Sequence, residues 1–351
     1  MPHSYREQAV RKVKHFVRDV TAEILLASSI TRPGFRARDK LTIVTFHRVL
    51  PAPILAQYPL PGIAVTPEEL RRFLEVFQDH YSVGNLYESA KLHQSGERPE
   101  KPPLAVTFDD GQLDNYQFAL PVLDAMNVRA SFFVVTDAIE SNEVLWHDRI
   151  AYAVQKLQRR GGSGLQEWLT EWGVPQDQDT SDPVNAAVAA AKLLDPGERG
   201  RRLDRLEKVV GAHIRPDWDG MMNWDHIREM RSGGHEIGSH STSHPILPLV
   251  SDQELQHEIE HSRRLLETQM DHEVRSFCYP NGDYDERVIA SVRQAGYEFA
   301  VTTRYGINSQ NSDPYSFRRV DLQSGYGTNA AGTFRSSGLL LRMSGLLPGM
   351  A

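Results

Sequence analysis

Residues 102–111 read PPLAVTFDDG. An apolar run ends in two adjacent aspartates and a glycine. Strands are poor in Asp, and neighbouring carboxylates repel each other, so Asp109 and Asp110 mark the place where a strand stops. Asp and Gly also favour turns. Taken alone, Asp109-Asp110-Gly111 is explained by a capped turn. A chemical reading needs partners from elsewhere in the chain.

The same pattern recurs on both sides. LTIVTF (41–46), LAVTF (104–108), ASFFVV (130–135), HEIGSH (235–240), RSFCYP (275–280) and EFAVTT (298–303) predict strands. Between them lie helical patterns. TPEELRRFLEVFQDHY (66–81) opens with a Thr cap, Pro at the first helical position and Glu behind it. Further helices are expected near 115–126, over 252–270 and over 285–296, the last closing on a glycine. Strand–helix alternation predicts an α/β fold with a mainly parallel sheet or barrel. Residues 148–222 break the rhythm. DRIAYAVQKLQ (148–158) and PVNAAVAAAKLL (183–194) are helical, and no strand pattern separates them. They read as a helical insertion between two barrel units. The chain thus divides into a lead-in (1–40), a barrel with its insertion (41–330) and an apolar tail (331–351).

The 351 residues are 40% hydrophobic and 24% charged, enough to bury a sizeable core. The net charge of −7 and the lack of a basic reading motif argue against a nucleic-acid partner. The single cysteine, Cys278, excludes an intrachain disulfide and a cysteine zinc cluster. Within a strand it reads as an inert buried thiol. No apolar run reaches the length that spans a bilayer. Glu7, Asp19 and Glu23 precede the short apolar run ILLASSI, so no signal peptide is evident and a cytoplasmic location is expected. Residues 5–27 form an amphipathic helix pattern, with Val10, Val13, Val17, Val20 and Ile24 on one face and Arg6, Arg11, Lys12, Lys14 and Arg18 opposite. Such a helix either packs on the domain or lies peripherally on an anionic membrane surface. The tail GLLLRMSGLLPGM (338–350) either joins it there or caps the barrel.

In parallel α/β folds, sites lie beyond the carboxyl ends of the strands. Those ends carry His47, then Asp109 and Asp110, then Thr136 and Asp137 with Trp146, His147 and Asp148 shortly after. His240 and His244 follow the next strand, and Pro280, Asn281, Gly282 and Asp283 the one after. In HSTSH (240–244) the histidines stand one helical turn apart, and two imidazoles suit a zinc-like ion. Pro245 pushes His244 out of the helical region, so this is not the metalloprotease helix motif. His235 begins its strand, at the wrong end for a site. Two His and one Asp supply three ligands and leave room for water. A metal lowers a water's pKa from about 15.7 toward roughly 7, and the second carboxylate can take the proton.

TFDDG (107–111), HSTSH (240–244) and FCYPNG (277–282), in this order, resemble the first three motifs of the polysaccharide deacetylases, the NodB-homology carbohydrate esterases. The resemblance runs over roughly residues 41–322, interrupted by the insertion. It implies a distorted (β/α)7-type barrel and a divalent metal, with Zn2+ the first choice. The implied activity is removal of N-acetyl groups from an N-acetylated polysaccharide or lipid-linked glycan. By resemblance Asp109 is the base, and Asp110, His240 and His244 hold the metal. Tyr279, Pro280, Asn281 and Gly282 wall the site, with the Tyr279 backbone N–H on the oxyanion. Two departures matter. No histidine follows His272, where the family carries its acid. A subgroup acting on poly-N-acetylglucosamine looks circularly permuted, with that His in an early strand, and TFHRV places His47 there. The arginine usual beside the third motif is also absent. Arg275 lies earlier in the strand, and Arg318 or Arg319 in FRRVD stands in to orient Asp109. Trp146 and His147 either line the sugar groove or belong to the core. The alternatives are a hydrolase of cyclic imides or ureides, an O-acetyl esterase, and a non-catalytic glycan-binding relative. The intact Asp109 argues against the last, since binding needs no base.

Overall fold

The computed structural model describes residues 17, 19–97, 99–161, 164–175, 181–211, 215–329 and 331–346. Eight strands form one sheet, and seven of them close into a parallel barrel. These are β1 (Thr42–Phe46), β2 (Pro103–Phe108), β3 (Ser131–Val134), β4 (Glu236–Ser239), β5 (Ser276–Cys278), β6 (Phe299–Tyr305) and β7 (Phe317–Asp321). They succeed one another around the barrel in chain order, and β7 closes on β1 with Val44 opposite Val320. β1 and β2 are buried along their whole length, as expected of parallel strands covered on both faces. β7 lay in the quoted FRRVD but was not among the expected strands.

The distortion has a local cause. The short strand Ser82–Gly84 pairs with Pro103–Ala105 at the start of β2, while β3 pairs only with Thr107 and Phe108 at its end. On that side the barrel is wedged apart at its amino-terminal end. The register between β6 and β7 also shifts between Phe317 and Arg319, a bulge-type irregularity of the kind that re-aims side chains near active sites.

Strand alternation sorts the core. Phe46, Phe108 and Phe132 stand opposite one another on β1, β2 and β3. Their rings stack at 5.3 and 4.8 Å between centroids, in a cluster shared with Leu70 and Phe73 of helix Pro67–His80. Thr66 and Glu69 close a capping box at the start of that helix. Ile43, Ala105, Phe133, Cys278 and Phe299, on the other parity, fill the barrel interior as a separate cluster. Cys278 is buried, as its strand position implied.

The insertion contributes helices Trp146–Arg159, Leu165–Glu171, Pro183–Lys192 and Pro196–Val210 between β3 and β4. Its own core joins Ala151, Val154, Val184, Val188 and Leu203 to Leu50, Tyr58 and Leu60, which follow β1. The insertion therefore rests over the mouth of the barrel. Helix Ser336–Met343 buries Leu339, Leu340 and Met343 in the main core. Most of the expected 5–27 helix lies outside the described residues; 19–27 are helical. Ala22 is buried there, yet Val17, Val20 and Ile24 are 56%, 42% and 61% exposed. These described members of the apolar stripe face outward rather than onto the barrel.

Candidate active site

β2 carries Asp109 and Asp110 to the barrel mouth. The Asp109 N–H still donates to Phe46 O at 3.0 Å, completing the ladder with β1. Asp110 and Gly111 then take φ of 76° and 79°, two left-handed residues that turn the chain away. Asp tolerates this region better than most residues. At Gly111 a Cβ would approach Val134 to 3.2 Å. The kink leaves the two carboxylates with different partners.

Asp109 is bound by Arg319 of β7. Nη1 donates to Oδ1 at 2.8 Å and Nη2 to Oδ2 at 2.7 Å. This bidentate, charge-assisted geometry is the strongest an arginine makes. Arg319 is itself fixed inside the barrel by Thr302 O at 2.8 Å and Thr45 Oγ1 at 2.9 Å. Burial alone would raise the Asp109 carboxyl, but the guanidinium outweighs it and holds the group below its ordinary value. His47, just past β1, places Nε2 3.8 Å from Asp109 Oδ2. The acid, base and clamp expected of His47, Asp109 and Arg319 thus stand together. Arg318 does not join them. It is exposed, packed on Gly306, because strand alternation sends neighbours to opposite faces.

Asp110 meets the histidines. Its Oδ1 lies 3.5 Å from Nε2 of both His240 and His244, and its Oδ2 3.6 Å from Nε2 of His147. Burial opposes ionisation of Asp110, but these imidazoles hold its carboxyl well below the usual range. HSTSH does not form the expected helical turn. It is a loop in which Ser241 and His244 are left-handed, φ 66° and 59°. Glu258 braces it, accepting the N–H groups of Thr242 and Ser243 at 2.9 and 2.8 Å. Non-glycine residues in this region cost roughly 1–3 kcal/mol each and gather at functional sites.

The donor set fits a divalent cation. Asp110, His240 and His244 present three buried ligand atoms within 4.8 Å of one another. Separations of 3.5 Å are long for hydrogen bonds, so the buried groups are only partly satisfied by each other. His240 Nδ1 donates to Cys278 O at 2.8 Å, which turns its Nε2 lone pair inward. A ring N–H anchored on a carbonyl is the usual outer support of a metal-binding histidine.

The sequence model of the family described as polysaccharide deacetylase matches residues 96–167 and 203–300. These intervals contain Asp109, Asp110, His240, His244 and the 277–282 segment. The chain belongs to the polysaccharide deacetylase family. A curated member, YxkH of Bacillus subtilis (strain 168), is 21% identical over 299 residues, 85% of this chain and 77% of YxkH. The fold is similar to that of the Streptococcus pyogenes deacetylase PplD, solved with acetate. That match has TM-score 0.57 and 18% identity, over 87% of this chain and 98% of PplD. It is also similar to IcaB from Ammonifex degensii, at TM-score 0.56 and 16% identity, over 88% and 98%.

Within this deacetylase-family barrel, the remaining expected residues separate. Trp146 lines the pocket and also donates Nε1–H to His244 O at 3.2 Å, so it is wall and brace at once. Tyr279 and Asn281 line the pocket as well. The Tyr279 N–H, however, already donates to Val301 O at 3.2 Å. It belongs to the β5–β6 ladder and is not free for an oxyanion. Pro280 and Gly282 shape the turn without lining the site. Arg275 pairs with Glu273 at the start of β5, away from Asp109.

Sequence reading missed two groups. The first is a buried knot around Arg48. Its Nε donates to Asp114 Oδ2 at 2.6 Å and Nη2 to Asp219 Oδ1 at 2.6 Å, with Asp148 Oδ2 at 3.4 Å. Tyr58 and Tyr152 donate to Asp148 and Asp219 at 2.6 and 2.5 Å. Arg48 adjoins His47 and Asp148 adjoins His147, so the knot fixes the segments that present both histidines. No local pattern marks a charge that will be buried. The second is the contribution of the insertion to the pocket, through Asn185, Val188 and Lys192. The lone lysine in an alanine-rich helix was the available signal.

Proposed function

We propose that the protein is a metal-dependent N-deacetylase of an N-acetylated glycan. The observation that carries this reading is one pocket lined by His47, Asp109, Asp110, His240 and His244, with Asp109 clamped as a carboxylate by Arg319. Asp110, His240 and His244 would hold the cation, and a two-His, one-Asp set suits Zn2+. Bound there, the cation supplies Lewis acidity and stabilises developing negative charge.

The rest falls to the chain. Asp109 accepts the proton of the attacking water, a role that requires it to be ionised, which Arg319 secures. His47 delivers a proton to the departing amine nitrogen from the flank of Asp109. A placed acid or base typically contributes ~10²–10⁴-fold. Trp146, Leu60 and Ile63 offer apolar surface for a sugar ring. The outward-facing Val17, Val20 and Ile24 support peripheral attachment at the cytoplasmic face of a membrane, and hence a lipid-linked glycan. Flotation with anionic vesicles should be lost on deleting residues 1–30; unchanged flotation removes the helix from this role.

The main test is acetate release from N-acetylated oligosaccharides and lipid-linked sugars, with and without chelator. Release should need the metal and should collapse in Asp109→Asn. Full activity in that variant, with metal bound, would remove Asp109 as base.

A further inference from the structure

Helix Pro183–Lys192 turns one face to the pocket through Asn185, Val188 and Lys192, spaced three and four apart as a helix face requires. Lys192 is half-buried, and among the described residues it makes no hydrogen bond and no ion pair. Burial lowers its pKa, and the charges of Asp283 and Asp110 act on it without contact. Both carboxylates are engaged elsewhere, Asp283 with the Asn281 amide and Asp110 with the histidines. Taking an unpaired ammonium from water is costly, yet the fold keeps one over the reacting groups.

A second insertion cation stands behind the wall. Arg199 is 5% exposed, and its guanidinium carbon lies 4.2 Å over the Trp146 ring. Its Nη1 has no hydrogen-bond partner among the described residues, and burial lowers the guanidinium to about 10. The insertion therefore brings two positive groups, neither in an ion pair among the described residues, to a site whose reacting acetamide is neutral. Hydroxyls and acetamides need only neutral hydrogen bonds. An oxyanion substituent is what an unpaired lysine recognises.

Resting on the N-deacetylase reading, we propose that Lys192 is a specificity residue. The substrate carries an anionic oxygen group, phosphate or carboxylate, on the acetylated sugar or on its neighbour. A free sugar phosphate and a phosphate-linked lipid share this chemistry.

Calorimetric titration of the metal-loaded protein tests it. The probes are methyl N-acetylglucosaminide, N-acetylglucosamine 1-phosphate, a lipid-linked N-acetylglucosamine phosphate and the uronate of N-acetylglucosamine. At least one anionic probe should bind about ten-fold tighter than the neutral one or more, the scale of a charge-assisted hydrogen bond. That ratio should fall toward one in Lys192→Gln and persist in Lys192→Arg. A lipid arm above the free phosphate identifies the lipid-linked form; equal arms identify the phosphate itself. Equal binding of neutral and anionic probes overturns the proposal. So does a preference that survives Lys192→Gln, which would assign the anion to the metal. Acetate release is read separately. Lys192-dependent binding without acetate release keeps the anionic subsite and refutes the deacetylase. Acetate release without an anionic preference does the reverse.

Discussion

Replacing Arg319 by Met isolates what keeps Asp109 ionised. The wild-type carboxyl is 1% exposed and held below its ordinary value against burial. Two charge-assisted bonds at 2.8 and 2.7 Å do this. A hydrogen bond to a charged group is worth ~1.5–3 kcal/mol, and a pKa unit corresponds to about 1.4 kcal/mol. Losing both bonds should therefore raise Asp109 by about two units or more. A base must be ionised, so activity is lost as pH falls through its pKa. In wild type the acid limb due to Asp109 lies below the usual carboxylate range. In Arg319→Met it should move to higher pH by that amount, with partial recovery on the alkaline side. The buried carboxylate left unpaired should also cost ~3–5 kcal/mol of stability. The assay is acetate release against pH at saturating metal, run below the variant's melting temperature, with Arg319→Lys as the intermediate case. A folded Arg319→Met enzyme with an unmoved acid limb would refute the assignment of Arg319 as the clamp and Asp109 as the base.

Three further outcomes are expected. His47→Gln should lower kcat by ~10²–10⁴-fold with metal content unchanged by elemental analysis; loss of the metal instead would give His47 a structural role. Arg48→Met should cost ~3–5 kcal/mol at pH 7.5, read by denaturant unfolding of the metal-free protein. Burial lifts Asp114 to about 6, above its unfolded value, so its ionisation works against the fold and stability declines as pH rises through about 6. The variant's deficit should shrink at pH 5, and an equal deficit at both pH values counts against the knot. Gly282→Ala should lower the melting temperature and weaken substrate binding, because φ is 77° and a Cβ would collide with Thr303 Oγ1 and lie 2.6 Å from its backbone N; an unshifted melt contradicts the packing seen there.

The barrel was legible because parallel strands are continuous apolar runs, and TIVTF and PLAVTF are buried at every position. β7 was less so. FRRVD carries two arginines and an aspartate, and only its register beside β1 and β6 turns Arg319 inward and Arg318 out. The site residues could be collected from strand ends because topology, not local sequence, brings those ends together. Loop conformation was not legible in the same way. HSTSH has helical spacing, but Glu258 holds it as a loop from another element. The Tyr279 N–H looked available until the ladder with Val301 accounted for it. Both misreadings concern hydrogen bonds made across long sequence separations, which a residue pattern does not encode.

The knot and the pocket share a construction. Arg48 follows His47, Asp148 follows His147, and Asp114 stands in the helical segment that follows the turn at Asp110 and Gly111. Asp219 closes the insertion on the same guanidinium. Each neighbour of a pocket group is thereby drawn to one buried cation. An apolar cluster tolerates sliding, since its contacts are non-directional. A guanidinium with carboxylates on separate segments has only a few satisfied arrangements. The knot therefore ties the segment after β1, the turn after β2 and the insertion into one relative placement, and that placement sets His47 beside Asp109 and His147 beside Asp110. Three carboxylates surround one arginine, and burial, with a smaller push from Asp219, raises the Asp114 carboxyl among them. Stability alone would favour a better-balanced cluster. The imbalance is intelligible if the knot serves to position two histidines at the pocket, His47 from the segment after β1 and His147 from the insertion.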